Sequence, residues 1–204
     1  MTRLIMLRHG ETEWNAANNR FCGHSDIPLS ETGRRQAEAA ADWLKDIHVD
    51  HIYASTLQRA VETAAFIAHR HQLPVKQEQD LQEINYGRWE GLTQPEIEQQ
   101  YPHSWSGWFR QPEDFPAGEV GENALQLYNR YEQCIHALCA RHSGEHIVIV
   151  SHSAAIRIFL TGVLQMPLRA YRKLVLHNTG VCVLETAPEG VLKLLQFNGK
   201  PHAL

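Results

Sequence analysis

The sequence has few cysteines and no pattern that would put them to use. Its four cysteines, at positions 22, 134, 139 and 182, form no C-x-x-C pair. Neither a disulfide framework nor a zinc knuckle is therefore indicated. We expect reduced thiols, which are typical of a cytoplasmic protein.

Excess positive charge and long apolar runs are also lacking. Nineteen lysines and arginines stand against 23 acidic residues, for a net charge of -4 without a basic stripe, which argues against nucleic acid as a partner. The apolar run at residues 4–7 ends at Arg8. Such a run is too short for a signal peptide or a membrane span, so we expect no membrane partner.

Several ligand-binding motifs are absent. The sequence has no P-loop, no G-x-G-x-x-G, no G-x-S-x-G and no H-E-x-x-H, which disfavours nucleotide-binding folds, serine hydrolases and this class of zinc enzyme. Histidine is abundant, with 13 residues. Most of them, His142 included, stand singly among polar residues and are expected at the surface rather than as ligands.

Along the chain, segments with the residue pattern of strands alternate with segments that have the pattern of helices. Strands are predicted at 4–7, 51–54, 75–79, 146–150, 174–176, 181–185 and 191–197, and helices at 34–45, 56–71, 122–141 and 154–164. This alternation predicts an α/β fold, a three-layer sandwich whose mostly parallel central sheet has helices on both faces. The last two strands are expected to pair as a hairpin. The length predicts a single domain over residues 1–204.

Residues 81–121 interrupt the alternation. They hold three tryptophans, two phenylalanines and four prolines, with a short helix expected near 94–100. An irregular insertion of this kind is typical of a lid or the wall of a substrate pocket. A packed irregular subdomain is the alternative that composition leaves open.

Two buried strands end in histidine. Arg8 and His9 follow the first strand, and His152 follows the strand at 146–150. Open α/β sheets bind ligands at the carboxyl ends of their strands. Arginine suits phosphate oxygens, and histidine can act as nucleophile or proton carrier. With Arg59 at the start of a helix, these residues point to a phosphate dianion. A surface Arg-His pair and a zinc site are the alternatives, although no acidic cluster stands near either histidine.

Five motifs in order resemble the histidine phosphatase superfamily, which includes the cofactor-dependent phosphoglycerate mutases. They are R-H-G-E-T at 8–12, D-I-P-L-S-E-T-G at 26–33, S-x-x-x-R-A-x-x-T-A at 55–64, L-Q-E-I-N-Y-G-R-W-E-G at 81–91 and V-S-H at 150–152. The resemblance covers nearly the whole chain.

The resemblance implies a role for each candidate residue. His9 would attack phosphorus and become phosphohistidine, and Glu83 would protonate the leaving oxygen and then activate water. The remaining residues would bind the phosphate or the substrate: Arg8, Arg59 and His152 at the phosphate oxygens, and Asn15, Cys22, Gly23 and Ser153 around them. No metal and no organic cofactor is implied.

The superfamily contains both phosphatases and mutases. The short chain and the G-x-W-E-G segment resemble phosphatases of broad specificity or with α-ribazole phosphate or sugar phosphates as substrates. We therefore expect a hydrolase of a small phosphorylated metabolite. Mutase-type phosphoryl transfer and phospho-ligand binding without turnover are the alternatives. Whether the protein is a homodimer stays open.

Overall fold

A computed structural model describes residues 1–187 and 190–199. Its six strands form one sheet in the order β3-β2-β4-β1-β5-β6. The strands are β1 (Arg3–Arg8), β2 (His51–Ser55), β3 (Val75–Glu78), β4 (His146–Ser151), β5 (Val181–Thr186) and β6 (Leu192–Gly199). The helices are α1 (Glu13–Ala16), α2 (Glu31–Leu44), α3 (Gln58–His71), α4 (Gln94–Gln100), α5 (Pro102–Arg110), α6 (Ala124–Arg141) and α7 (Ser153–Val163).

The sheet is parallel from β3 through β2 and β4 to β1. Strand β5 runs antiparallel to β1, and β6 antiparallel to β5, which confirms the predicted hairpin. Its connection includes positions 188 and 189, which lie outside the described residues. The central strands β1 and β4 are buried on both faces. This burial explains why their sequences are uninterrupted apolar runs.

Helices cover both faces of the sheet, as the sequence predicts. In β1, Ile5 and Leu7 pack into the core beneath α2 and α3, whereas Leu4 and Met6 pack into the core beneath α6 and α7. Successive side chains of a strand point to opposite faces, so one apolar strand contributes to both cores. None of the helices within the described residues is long and apolar enough to cross a membrane.

Residues 174–176 are not a strand, so this prediction was wrong. The carbonyl oxygen of Leu174 accepts a hydrogen bond from Arg157 Nη1 at 3.3 Å, and that of Leu176 accepts one from Arg8 Nη1 at 2.9 Å. These carbonyl groups bind arginine side chains instead of a neighbouring strand. Of its apolar side chains, Leu176 is buried in the core, whereas Val175 is 61% exposed.

The insertion is both a packed subdomain and a pocket wall. It contains the predicted helix α4 and a second helix, α5, that the sequence analysis missed. Trp89 and Trp108 are completely or almost completely buried in the core, whereas Trp105 and Phe109 line a cavity. Each helix has proline in its first turn, where the missing N–H costs no hydrogen bond.

Candidate active site

His9 follows β1 directly and is buried. Its Nδ1 lies 2.6 Å from the carbonyl oxygen of Gly10. Because a carbonyl oxygen only accepts, Nδ1 carries the proton of a neutral ring and Nε2 keeps its lone pair. Burial holds the pKa of His9 well below its usual value, and the positive charges of Arg59 and Arg8 lower it further. The ring is therefore neutral near pH 7, with Nε2 as a free nucleophile.

Two glycines let α2 approach the loop that follows His9. A Cβ atom on Gly10 would lie 2.4 Å from the carbonyl oxygen of Gly33, and a Cβ atom on Gly33 would lie 2.0 Å from that of Glu11. The loop is also bound from α3, since Thr63 Oγ1 accepts a hydrogen bond from the N–H of Gly10 at 3.1 Å. The motifs at 26–33 and 55–64 thus fix the backbone beside His9.

His152 follows β4, and its ring centroid lies 5.2 Å from that of His9. Its Nε2 is 2.8 Å from Ser55 Oγ, which also accepts the N–H of Leu57 at 3.3 Å. The Ser55 hydroxyl has a proton to donate to Nε2, and in that arrangement Nδ1 carries the ring proton. No group in the described part of the chain hydrogen-bonds this buried Nδ1. Burial, and then the charge of Arg59, hold the pKa of His152 well below its usual value.

Arg8 and Arg59 bring positive charge to the histidines. Arg59 is fully buried at the start of α3, and its two terminal nitrogens donate to the carbonyl oxygens of Ser25 at 2.8 Å and Gly23 at 2.7 Å. Burial lowers the pKa of Arg59, and burial and the nearby Arg157 charge lower that of Arg8 to about 10. Both guanidinium groups remain charged near pH 7. Neither forms a salt bridge within residues 1–187 and 190–199, so an anionic ligand would compensate them.

The Glu83 carboxylate lies at the N-terminus of α7. It accepts the N–H groups of Ile84 at 3.0 Å, Ala154 at 3.1 Å and Ala155 at 2.8 Å. Its own carbonyl oxygen accepts a hydrogen bond from Arg130 Nη2 at 3.0 Å. Hydrogen bonds therefore hold both the carboxylate and the backbone of Glu83, on the side of the site where α7 begins.

These groups surround a cavity of about 140 Å³. The residues lining it are Arg8, His9, Asn15, Asn19, Arg20, Phe21, Cys22, Arg59, Glu83, Tyr86, Ser153 and Arg157. Two of the predicted residues, His152 and Gly23, lie outside this lining. His152 is fully buried against His9, and Gly23 contacts Arg59 through its carbonyl oxygen.

Gly23 and Glu90 together fix the loop that binds Arg59. Gly23 has a φ of +50°, and a Cβ atom there would lie 2.1 Å from Glu90 Oε1. The Glu90 carboxylate accepts the backbone N–H groups of His24 and Ser25, each at 2.8 Å. The acidic residue of the W-E-G segment therefore helps to place Arg59 rather than contacting the cavity.

Cys22 and Asn15 lie at the cavity wall. Burial raises the pKa of the Cys22 thiol, and its Sγ is 3.8 Å from Thr12 Oγ1. A protonated thiol is a poor nucleophile. Asn15 Oδ1 accepts the N–H of Thr12 at 3.1 Å, which leaves its NH₂ group as the donor available to a ligand.

Arg157, which lies one turn into α7, was not predicted as a site residue. Its Nε donates to the carbonyl oxygen of Ser153 at 2.9 Å, and its guanidinium lies 5.2 Å from the ring centroid of Tyr171. Arg157 lines both the cavity at His9 and an adjoining cavity of about 470 Å³. The sequence signal that could have identified Arg157 as a site residue was its i+4 spacing from Ser153, on the helix that starts directly after His152.

The family model described as histidine phosphatase superfamily (branch 1) matches residues 4–198. The chain belongs to this superfamily. It is 33% identical to phosphoserine phosphatase 1 of Hydrogenobacter thermophilus over 196 residues, which is 95% of this chain and 92% of that protein. It is also 32% identical, over 78% of its length and 76% of the relative's, to a 2,3-bisphosphoglycerate-dependent phosphoglycerate mutase of Cytophaga hutchinsonii.

A solved structure has the same fold over its whole length. The phosphoserine phosphatase of Entamoeba histolytica in complex with 3-phosphoglyceric acid has a TM-score of 0.90 and 33% identity, with all of both chains covered. Together with the phosphoserine phosphatase of Hydrogenobacter thermophilus, this structure confirms the predicted α/β fold and the predicted class, a phosphoric monoester hydrolase.

Proposed function

We propose that the protein hydrolyses a small phosphomonoester whose organic part carries a carboxylate, and that the phosphoryl group passes through His9. One observation carries this proposal. An unprotonated His9 Nε2 lies among the guanidinium groups of Arg8 and Arg59, with the Glu83 carboxyl group lining the same cavity. This set supplies a nucleophile, charge for a dianion and a proton carrier.

In the first half-reaction, His9 Nε2 attacks phosphorus and the bond from phosphorus to the ester oxygen breaks. The proton of the Glu83 carboxyl group goes to the departing oxygen. Arg8, Arg59 and the Nδ1–H of His152 bind the non-bridging oxygens, whose negative charge persists through the transition state. We assign substrate or phosphate contacts to Asn15, Cys22, Gly23 and Ser153.

In the second half-reaction, water attacks the phosphohistidine. The Glu83 carboxylate takes a proton from that water, the bond from nitrogen to phosphorus breaks, and inorganic phosphate leaves. His9 is returned as a neutral ring with its Nδ1 proton still bound to the Gly10 carbonyl group. Glu83 thus acts first as acid and then as base.

The proposal of a carboxylate in the substrate rests on Arg157. Its Nε and Nη1 bind the carbonyl oxygens of Ser153 and Leu174, and its Nη2 makes no hydrogen bond within the described residues. Because Arg157 lines both cavities, an anionic group attached next to the phosphoester would meet it. The phosphoserine phosphatase of Entamoeba histolytica has been solved with 3-phosphoglyceric acid and, as a mutant, with phosphoserine, and both ligands carry a carboxylate.

The test compares phosphoserine and 3-phosphoglycerate with p-nitrophenyl phosphate, which has no carboxylate, in the presence of EDTA. A hydrogen bond to a charged group contributes about 1.5–3 kcal/mol, so Arg157→Gln should lower kcat/KM for the carboxylate-bearing esters by roughly 10- to 100-fold. Hydrolysis of p-nitrophenyl phosphate should change much less.

Arg172→Gln is the matched control. Arg172 lines the adjoining cavity, but its guanidinium donates to the carbonyl oxygens of Trp108 and Phe109. Equal losses for all esters in Arg157→Gln would refute the carboxylate assignment. Faster formation of 2-phosphoglycerate from 3-phosphoglycerate than release of phosphate would favour the mutase activity that the Cytophaga relative's name describes.

A further inference from the structure

A second histidine cluster lies at the opposite end of the parallel strands. His51 begins β2, His142 follows the last residue of α6, and Glu145 immediately precedes β4. One ligand atom from each of these residues lies within 4.8 Å of the other two. The prediction that His142 lies at the surface was wrong, because its ring is buried beside Tyr53.

We propose that His51, His142 and Glu145 bind a zinc ion. His51 Nε2 and His142 Nδ1 lie 2.8 Å and 2.9 Å from Glu145 Oε2. Two imidazoles and one carboxylate, with water in the fourth position, are a ligand set that Zn²⁺ uses in proteins. Mg²⁺ and Ca²⁺ prefer oxygen ligands, so nitrogen donors select against them.

Tyr53 gives His142 the orientation that a metal ligand needs. The Tyr53 hydroxyl lies 2.9 Å from His142 Nε2. When Nε2 donates its proton to that hydroxyl oxygen, Nδ1 keeps a lone pair directed toward Glu145. Zinc-bound histidines commonly donate their second nitrogen in this way, which fixes both the tautomer and the plane of the ring.

The backbone of the turn that carries two of the ligands is also fixed. Thr2 Oγ1 donates to the carbonyl oxygen of His142 at 2.9 Å and accepts the N–H of Gly144 at 3.1 Å. The N–H of Arg3 donates to the carbonyl oxygen of Glu145 at 3.1 Å. The ligands therefore stand on backbone that is bound to β1, and little ordering would be needed on binding.

The site is open on one side. The His142 side chain is 8% exposed, that of His51 24% and that of Glu145 43%. An ion can thus enter from solvent past Glu145. The Lys76 ammonium group lies 3.4 Å from His51 Nδ1 and repels a cation at this site, but the lysine side chain is exposed. Removing its charge should strengthen zinc binding.

Bound zinc would link β2 to the turn that leads into its neighbour β4. It would act on stability rather than on the reaction, because His9 and His152 follow β1 and β4 at the opposite end of the parallel strands. A ligand that binds only the folded state raises the free energy of unfolding. Well above Kd, this increase grows with the logarithm of the ratio of ligand concentration to Kd. The expected signature is a rise in Tm without a requirement for zinc in hydrolysis.

The experiment titrates metal-free protein with Zn²⁺ by calorimetry and measures Tm in parallel. The wild type is compared with His51→Ala/Glu145→Gln, which should bind zinc at least about tenfold more weakly and lose the rise in Tm. Lys76→Ala should bind more tightly. Mg²⁺ should give no heat and no rise in Tm.

His48→Ala is the matched control, since His48 lies against His146 at the same end of the sheet but outside the proposed ligand set. It should bind zinc as the wild type does. Unchanged phosphate release in EDTA shows that each variant is folded. Absence of zinc binding at micromolar concentrations, or binding that His51→Ala/Glu145→Gln leaves unchanged, would overturn the proposal. Zinc that binds only at the catalytic histidines would give this second result.

Discussion

The two ends of the parallel strands carry histidine pairs in opposite electrostatic surroundings. At the carboxyl ends, the rings of His9 and His152 lie 5.2 Å apart; at the amino ends, those of His51 and His142 lie 3.8 Å apart. The first pair faces the charges of arginines. The second pair shares the carboxylate of Glu145.

The neighbours of each pair decide which ligand it suits. Arg59 lowers the pKa of both His9 and His152, adding to the effect of burial. Positive charges beside neutral rings suit a phosphate dianion and repel a metal ion. A carboxylate between two imidazoles has the opposite preference. Proximity of two histidines alone therefore indicates neither ligand.

The largest expected effect is the difference in kcat between single substitutions at the two ends of the sheet. His9→Ala removes the nucleophile and should lower kcat by roughly 10⁴-fold or more. His51→Ala, at the other end of the sheet, should leave kcat unchanged. Release of phosphate from phosphoserine measures both. A His9→Ala enzyme with near wild-type turnover would contradict the assignment of the catalytic end.

Glu83→Gln tests the proton carrier. General acid catalysis contributes about 10²- to 10⁴-fold, so we expect a loss of this size for esters with an alkoxide leaving group. Phosphorylation of the enzyme by p-nitrophenyl phosphate should be much less affected, because p-nitrophenolate departs without a proton. Rapid-quench bursts measure this step for both esters. Equal losses for the two classes would argue against Glu83 as the acid.

Ser55→Ala tests the orientation of His152. The substitution removes the hydrogen bond at Nε2, and with it the arrangement in which Nδ1 carries the ring proton. We expect kcat/KM to fall by about tenfold, the effect of roughly 1.4 kcal/mol. Ser55→Thr keeps the hydroxyl and should retain most of the activity. The pH profile of kcat/KM should shift in Ser55→Ala alone if Ser55 acts through His152.

Acid should destabilise the protein through the buried histidines. The folded-state pKa values of His9 and His152 lie below the ordinary value of 6.5. Below pH 6.5 the unfolded chain therefore binds more protons than the folded one. The stability that neutral burial provides is complete above that pH and is lost as pH falls toward the folded-state pKa.

As pH falls, the free energy of unfolding should decrease by at most about 1.4 kcal/mol per pH unit for each histidine. Urea unfolding between pH 7.5 and 5 measures it. His152→Gln should show a shallower decline because it has one group fewer to protonate. A decline as steep as that of the wild type would show that His152 is not the group responsible.

The elements predicted correctly from the sequence are those whose own residue pattern indicates where they lie in the fold. Strands β1 and β4 are uninterrupted apolar runs because both faces are buried, and their carboxyl ends bring His9 and His152 together. Helix α5 was missed because its sequence, P-H-S-W-S-G-W-F-R, contains weak helix formers and is stabilised by its packing through Trp108.

The misassigned features depend on residues distant in sequence. Residues 174–176 have strand composition, but the carbonyl groups of Leu174 and Leu176 bind Arg157 and Arg8. His142 stands among polar neighbours in the sequence, yet its ring packs against that of His51 and its Nε2 lies beside the Tyr53 hydroxyl. The H-x-x-E spacing from His142 to Glu145 was a signal for the second cluster. The contribution of His51 from β2 could not be read from it.

The most direct test is the identity of the phosphorylated residue. Enzyme mixed with p-nitrophenyl phosphate in EDTA is quenched within one turnover at alkaline pH, where phosphohistidine survives, and digested for mass spectrometry. Glu83→Gln, in which the second half-reaction is slowed, should accumulate the intermediate. One phosphoryl group is expected on His9, and none in His9→Ala. Phosphate on another residue, or turnover without any phosphoenzyme in Glu83→Gln, would contradict it.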